Sequence, residues 1–400
     1  MHKRHLSPDA CTACTTCMAY CPVTRVTGKF RGPKMTGPAF ERFRLLTDLE
    51  DDSLGYCSNC KNCDIACPSG VPISTLNMLA RAEYCKNSKP PLGDWFVSHG
   101  EKIALYTSFI PSFIRNMGMN NFFTRIILDY LGIHRKAPLP PFASETFIKR
   151  FRRMRFDGLT DKRVVFFPGC FINVYNPQIG IDLAELLRMA GYGVIVPKDF
   201  VCCGLPLVSN GFADEAERYA VQNSKELAKW AERGTPVLTA CPSCALTLKR
   251  EYGELFPAAE SIGAGGRIVS DACEFLLGLL DGGELKPTFR SGGESVIYHA
   301  PCHLRAQGIG KTGLELTRRI SGVSASDADA GCCGLSGSYG LKKSKYDIAM
   351  DIGGELFDAI NHSAAGMAVT ECGSCQMQIA RGTGRTVINP ISLFRKHIET

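Results

Sequence analysis

From residue 162 onward the chain writes one pattern twice. Residues 164–170 (VVFFPGC) are answered by 296–302 (VIYHAPC), and Cys202-Cys203-Gly204 by Cys332-Cys333-Gly334. Cys241-Pro242-Ser243-Cys244 is answered by Cys372-Gly373-Ser374-Cys375, and the three offsets are 132, 130 and 131 residues. Such self-similarity marks a duplicated unit. Each copy reads strand, Cys, helix, strand, Cys-Cys-Gly, helix, strand, Cys-x-x-Cys, helix. In the first copy the strands are predicted at 164–167, 194–196 and 236–239. Strands alternating with helices imply parallel sheets of the α/β kind. Ligands collect at the carboxyl ends of strands in such sheets. All three cysteine groups of each copy fall there, on loops that precede helices.

The first ninety residues obey a different rule. Cys11-x-x-Cys14-x-x-Cys17-x-x-x-Cys21-Pro22 and Cys57-x-x-Cys60-x-x-Cys63-x-x-x-Cys67-Pro68 carry the spacing of a two-cluster ferredoxin. Each such run gives three thiolates to one [4Fe–4S] cluster and its fourth to the neighbouring cluster. The expected sets are therefore Cys11, Cys14, Cys17 and Cys67 for one cubane, and Cys57, Cys60, Cys63 and Cys21 for the other. A disulfide or zinc framework would need eight cysteines and two prolines to enter this register by accident. Clusters held in this way pass electrons one at a time.

Each repeat gathers five cysteines: Cys170, Cys202, Cys203, Cys241 and Cys244, then Cys302, Cys332, Cys333, Cys372 and Cys375. Five thiolates in one low-dielectric pocket repel unless cations neutralise them. Helix N-termini after the cysteine loops favour thiolate over thiol. A zinc site or a cubane needs four cysteines; the fifth, and the adjacent pair above all, suits something larger. His299 and His303 flank Cys302, where the first repeat has Phe167 and Phe171. They read either as structural side chains or as proton donors, since imidazole titrates near neutrality. Tyr339 is a further candidate donor, although packing explains it as well, and Gly334 and Gly340 are read as tight turns near sulfur. No GxGxxG with an acidic ribose partner is present, so flavin and nicotinamide binding are not expected and a partner must supply the electrons.

Twenty cysteines in 400 residues, with no apolar leader at the N-terminus, indicate a reducing compartment and metal rather than disulfides. Cys85 and Cys273 stand apart from the groups and read as small buried side chains. Residues 39–49 and 73–84 read as helices. Between 94 and 148, residues 103–114 (IALYTSFIPSFI) and 122–133 (FFTRIILDYLGI) are apolar. Both fall short of the roughly 18–20 residues of a membrane span. They suit amphipathic helices that lie on a membrane surface, dock on a partner or cover their own core. The net charge of +7 includes a run from Lys149 to Arg155, read as a solvated interdomain face or as a contact for anionic lipid or an acidic partner. No nucleic-acid motif accompanies it.

The C…CCG…C-x-x-C pattern, written twice behind a two-cluster ferredoxin domain, resembles the cysteine-rich CCG domain family. That family includes the B and D subunits of heterodisulfide reductases and iron–sulfur subunits of glycolate and lactate oxidation systems. End to end the chain most closely resembles the C subunits of anaerobic glycerol-3-phosphate dehydrogenases. The resemblance is carried by PGCFINVYNPQIGIDL (168–183), CCGLPLVSNGF (202–212), YHAPCH (298–303), CCGLSGSYGLKK (332–343) and TECGSCQMQI (370–379). It implies a multidomain α+β and α/β architecture. A helical two-[4Fe–4S] domain at 1–90 and an amphipathic linker at 91–160 would precede two CCG domains at 161–290 and 291–400. It further implies a non-cubane [4Fe–4S] cluster in each five-cysteine set, with zinc an alternative in one of them. Electrons would pass from flavoprotein dehydrogenase subunits to menaquinone, on a peripheral subunit at the cytoplasmic face of the inner membrane. Disulfide reduction of the heterodisulfide reductase kind, lactate or glycolate oxidation, and a zinc-stapled anchor remain as alternatives.

Overall fold

The computed structural model describes residues 8–44, 51–87, 90–154, 161–260, 262 and 264–399. The duplication is realised as two parallel four-stranded sheets. The first holds β1 (Arg163–Phe166), β2 (Gly193–Ile195), β3 (Val237–Thr239) and β4 (Val269–Asp271) in the order β2-β1-β3-β4. The second holds β5 (Glu294–Tyr298), β6 (Val323–Asp327), β7 (Met367–Val369) and β8 (Val387–Ile388) in the order β6-β5-β7-β8. Val165 pairs with Ile195 on one side and Val237 on the other, and Val296 takes the matching place between Ala325 and Met367. Val164, Val165 and Phe166 are all buried, as a strand covered on both faces requires. The fourth strand of each sheet has too few apolar residues for any sequence period to show, and sequence reading misses both.

The two repeats share one core. Val164, Phe166, Leu183, Leu187 and Leu276 of the first are continuous with Val296, Tyr298, Leu316, Leu393 and Phe394 of the second. Helix Pro177–Met189 packs on Pro390–His397, and Ala272–Asp281 on Thr312–Arg318. The crossover helix of each repeat thus rests on the last helix of the other, as in a twofold dimer. An Arg395–Glu185 ion pair of 2.6 Å closes the rim.

In the N-terminal part, short helices Thr16–Ala19 and Asn62–Ile65 lie within the two cysteine runs and carry Cys17 and Cys63. The helix expected at 39–49 begins at Phe40, because Gly37 leaves the helical region and Pro38 follows it; Phe40–Arg44 is helical, and 45–49 lie outside the described residues. Ile73–Asn87 outruns the expected 73–84 by three residues. The apolar segments form Gly100–Tyr106, Ser112–Asn120 and Phe122–Tyr130, with Pro111 capping the second. No described helix is long and apolar enough to cross a membrane. The basic run forms helix Phe147–Arg153: Phe147 is buried in the shared core, while Lys149 and Arg153 face Glu145. Arg155 lies outside the described residues. Cys273 is buried in the shared core, whereas Cys85 is only half-buried, at a cleft with Arg81 and Asn210.

Candidate metal centres

Both N-terminal cysteine runs are wrapped by the same backbone device. Ala13 and Thr15 in the first, and Asn59 and Lys61 in the second, adopt positive φ of 60°, 66°, 52° and 63°. These are matching positions of the two runs. Non-glycine residues enter this region at a cost and persist where the surroundings fix them. The result brings sulfurs together in the expected sets. Burial pushes the Cys17 thiol up, and Cys11, Cys67 and Cys14 add to the shift. Burial likewise raises Cys60, to which Cys21 and Cys57 contribute, and Cys63, to which Cys60 and Cys57 contribute. The first set lies near the surface, with Cys14 exposed, whereas Cys60, Cys63 and Cys21 are buried.

In each CCG repeat the five sulfurs form one connected chain with the same order. Cys170 meets Cys202, Cys202 meets Cys203, Cys203 lies 3.6 Å from Cys244, and Cys244 meets Cys241. In the second, Cys302 meets Cys332, Cys332 meets Cys333, Cys333 lies 3.1 Å from Cys375, and Cys375 meets Cys372. Sγ of Cys202 and of Cys332 are the ones held well below the usual thiol range, by S–H donation from their neighbours and by the N–H of Gly204 and Gly334. Both glycines have positive φ, 82° and 86°, which lets the amide turn back on the sulfur. Gly340 does not: its role is close approach, since a Cβ there would fall 2.6 Å from Ala349 Cβ. All of these cysteines are free thiols. Two thiolates bound to one tetrahedral metal at about 2.3 Å stand about 3.8 Å apart, so the sulfur spacing suits metal ligation, with five donors where four suffice.

The second centre has a sixth donor. His299, buried, places a ring nitrogen within 4.8 Å of the Cys333 and Cys375 sulfurs, and its Nε2 has no hydrogen-bond partner. The other sequence candidates are placed differently. His303 bridges three parts of the chain: Nδ1 lies 3.0 Å from Ser243 Oγ and Nε2 2.9 Å from the carbonyl of Asn59. A neutral ring donating from Nε2 and accepting at Nδ1 satisfies both. Tyr339 is buried beside Cys21 and Cys332 with its hydroxyl unpartnered and Lys345 over its ring at 4.9 Å.

The centres are neighbours. Cys60 of the second cubane set interacts with both Cys332 and Cys302. The two repeats meet beside their CCG centres, where the Phe171 ring, next to Cys170, packs on Gly373, next to Cys372; a Cβ on Gly373 would be 2.4 Å from that ring. Sequence reading missed what seats the N-terminal part on the first repeat. Lys61, fully buried between Cys60 and Cys63, pairs with Glu251 at 2.8 Å. Burial alone would raise the Glu251 carboxyl, and the ammonium overcomes it and holds it at about 2. A lysine inside a cysteine run was the available signal. Also missed was the group around His-Gly-Glu-Lys at 99–102. Burial pushes Glu101 up to about 7, with Cys202 adding and Asn173 opposing. His99 meets Glu215 at 3.0 Å.

An N-terminal cubane pair leading into a duplicated five-cysteine α/β unit defines an iron–sulfur electron-transfer subunit. Comparison with known proteins agrees. Residues 7–71 match the 4Fe-4S dicluster domain family, and residues 164–249 and 296–380 match the cysteine-rich CCG domain family. The C subunit of the anaerobic glycerol-3-phosphate dehydrogenase of Escherichia coli K12 is 36% identical over 96% of this chain and 97% of its own length. The chain belongs to the family of that C subunit. A more distant likeness is the B subunit of the fumarate reductase (CoM/CoB) of Methanothermobacter marburgensis, 27% identical over 92% of this chain and 67% of that one. The glycolate oxidase iron–sulfur subunit of E. coli K12 is 23% identical over 95% and 91%.

Proposed function

We propose that this chain carries electrons from a flavoprotein partner that oxidises glycerol 3-phosphate to menaquinone, as a peripheral subunit on the cytoplasmic face of the inner membrane. Cys11, Cys14, Cys17 and Cys67 hold one cubane, and Cys57, Cys60, Cys63 and Cys21 the other. Each CCG five-cysteine set holds a larger cluster, for which the family's non-cubane [4Fe–4S] group is the best match; such groups supply one-electron steps when bound. The observation that carries the reading is the electrostatic interaction of Cys60 with Cys332 and Cys302, which supports the second CCG set as the next carrier after the buried cubane. The exposed Cys14 makes the first cubane the entry. The order is then first cubane, second cubane, second CCG centre, first CCG centre.

Membrane contact rests on the helices Gly100–Tyr106, Ser112–Asn120 and Phe122–Tyr130. They and the turn between the first two expose Phe109, Phe113, Met117, Phe122, Phe123 and Tyr130 together, far beyond the scattered apolar residues of an ordinary surface. Such helices lie in the lipid interface.

Iron, sulfide and zinc per chain on anaerobically purified protein, with EPR of both oxidation states, test the centres. Roughly sixteen irons, with a signal from the oxidised state, are expected for four clusters. About eight irons plus zinc would make the repeats structural. Zinc confined to the second centre would fit His299 beside Cys333 and Cys375.

A further inference from the structure

We propose that quinone is reduced in a cleft at the first CCG centre, between the head of helix Gly100–Tyr106 and the sulfurs of Cys170 and Cys202. This rests on the quinone-reducing reading above and moves the site away from His299 and His303, which the sequence offered as candidate proton donors. The cleft encloses about 80 Å³, room for the carbonyl edge of a ring. His99, Glu101, Tyr175 and Tyr219 line it, with Val97 and Leu207 as its apolar walls.

Three features make it a site rather than a gap. The first is the route to the membrane. Helix Gly100–Tyr106 presents Glu101 to the cleft and exposes Leu105 and Tyr106 at its other end, about 6–8 Å away at 1.5 Å per residue. Tyr175 continues the path, its ring stacked at 5.6 Å on Phe142, which packs with Met119 of the exposed apolar helices. A lipid-dissolved quinone would meet apolar surface from the bilayer to the cleft. The second is a store of protons. His99 Nδ1 lies 2.8 Å from the Trp95 carbonyl and Nε2 3.0 Å from Glu215, whose carboxylate Lys102 also holds. Both partners are hydrogen-bond acceptors, and they hold the ring at the edge of the cleft. The third is asymmetry: Cys332, the counterpart of Cys202, is packed among Cys21, Tyr339, Ile348 and Ile352, and the second cubane set occupies that flank.

In the reaction both quinone carbonyls become hydroxyls. Two electrons are taken up one at a time, originating on the partner's reduced flavin, and two protons enter from Glu101 and the His99–Glu215 pair, which are refilled from water.

Menadione, a soluble naphthoquinone, is the probe, on the holoprotein in phosphatidylcholine vesicles. Trp95 stacks on His99 at 4.7 Å between ring centroids, so in a Trp230→Phe background its fluorescence should be quenched saturably. Gly100→Val projects into the Tyr175 hydroxyl, since a Cβ there would lie 2.3 Å away, and should weaken binding about tenfold or more. Glu101→Gln, which keeps the shape, should slow menadione reduction by dithionite-reduced protein roughly 100-fold, the scale of a lost proton donor. Iron per chain should stay unchanged in Glu101→Gln. Menadione reduction with neither variant altering binding or rate overturns the cleft and leaves the quinone reading standing. A reduced wild-type protein that never reduces menadione overturns both.

Discussion

Phe109 and Phe123 give the membrane reading a number. They are 82% and 75% exposed, so replacing them leaves the protein's own packing almost untouched. Moving a whole phenylalanine side chain out of water is worth about 1.5–3 kcal/mol; scaled by exposure, the pair contributes roughly 2–5 kcal/mol to lying in a bilayer interface. At about 1.4 kcal/mol per tenfold, Phe109→Ser with Phe123→Ser should lower vesicle partitioning roughly 30- to 4,000-fold. Flotation of the purified holoprotein with phosphatidylcholine vesicles measures it, with iron content as the control for an intact fold. Phe147→Ser, in the buried core, should instead destabilise the protein by about 3–5 kcal/mol. A double variant that floats within about threefold of wild type refutes the argument that these side chains insert. Loss of the flavoprotein partner with flotation unchanged would assign the face to that partner.

Other expectations follow from the centres and their supports. Lys61→Met leaves Glu251 buried without its cation and should destabilise the protein by about 3–5 kcal/mol in urea unfolding, with Glu251→Leu added in the double variant restoring most of it. The sign of the pH effect differs between the two proteins. In wild type the Glu251 carboxyl, held at about 2 against a usual 4.5, contributes stability that is full above about pH 4.5 and lost as pH falls through about 2. In Lys61→Met burial alone raises it, so the deficit should shrink as pH falls from 8 towards 5; a constant deficit would refute the ion-pair account. Gly204→Ala and Gly334→Ala both force a side chain into positive φ, about 1–2 kcal/mol. Only at Gly334 does the Cβ also collide, 1.9 Å from the Ala349 carbonyl oxygen, so Gly334→Ala should lose second-centre metal and Gly204→Ala should retain the first. Equal metal loss would refute that difference. His299→Phe, which copies Phe167 of the first repeat, should change the metal content or EPR of the second centre alone; no change would mean that its unpartnered nitrogen does not face bound metal.

The cysteine framework was readable because metal ligation fixes residue type and spacing together. The repeat offsets placed β1, β2 and β3, and the Cys-x-x-Cys runs placed the sulfur sets. What stayed hidden depends on residues far apart in sequence. Nothing local marks Lys61 as the partner of Glu251, or Phe171 as the ring that lies on Gly373. The fourth strands escaped because Val269-Ser270-Asp271 and Val387-Ile388 are strands through pairing with β3 and β7 rather than through any apolar period. His299 and His303 attracted a proton role by residue type alone, yet the fold spends His303 on holding Asn59 to Ser243. The polar group at 99–102 drew no notice since its partners, Glu215 and Cys202, lie a hundred residues or more away.

Duplication by itself makes two equal centres, and equal centres give electrons no direction. The sulfur chains have remained alike: in both repeats the first cysteine of the adjacent pair is held well below the usual thiol range and the second contacts the last cysteine of the Cys-x-x-Cys. The divergence is in what surrounds them. One repeat places Phe167 where the other places His299, and Ala240 before Cys241 where the other has the buried carboxyl of Glu371 before Cys372. Surroundings of this kind set cluster potential as strongly as the ligands do. The second centre is closed in by the cubane domain, while the first keeps a cleft beside the apolar helices. On the route proposed above, entry and exit would fall to different copies of one unit, which one shared core locks together.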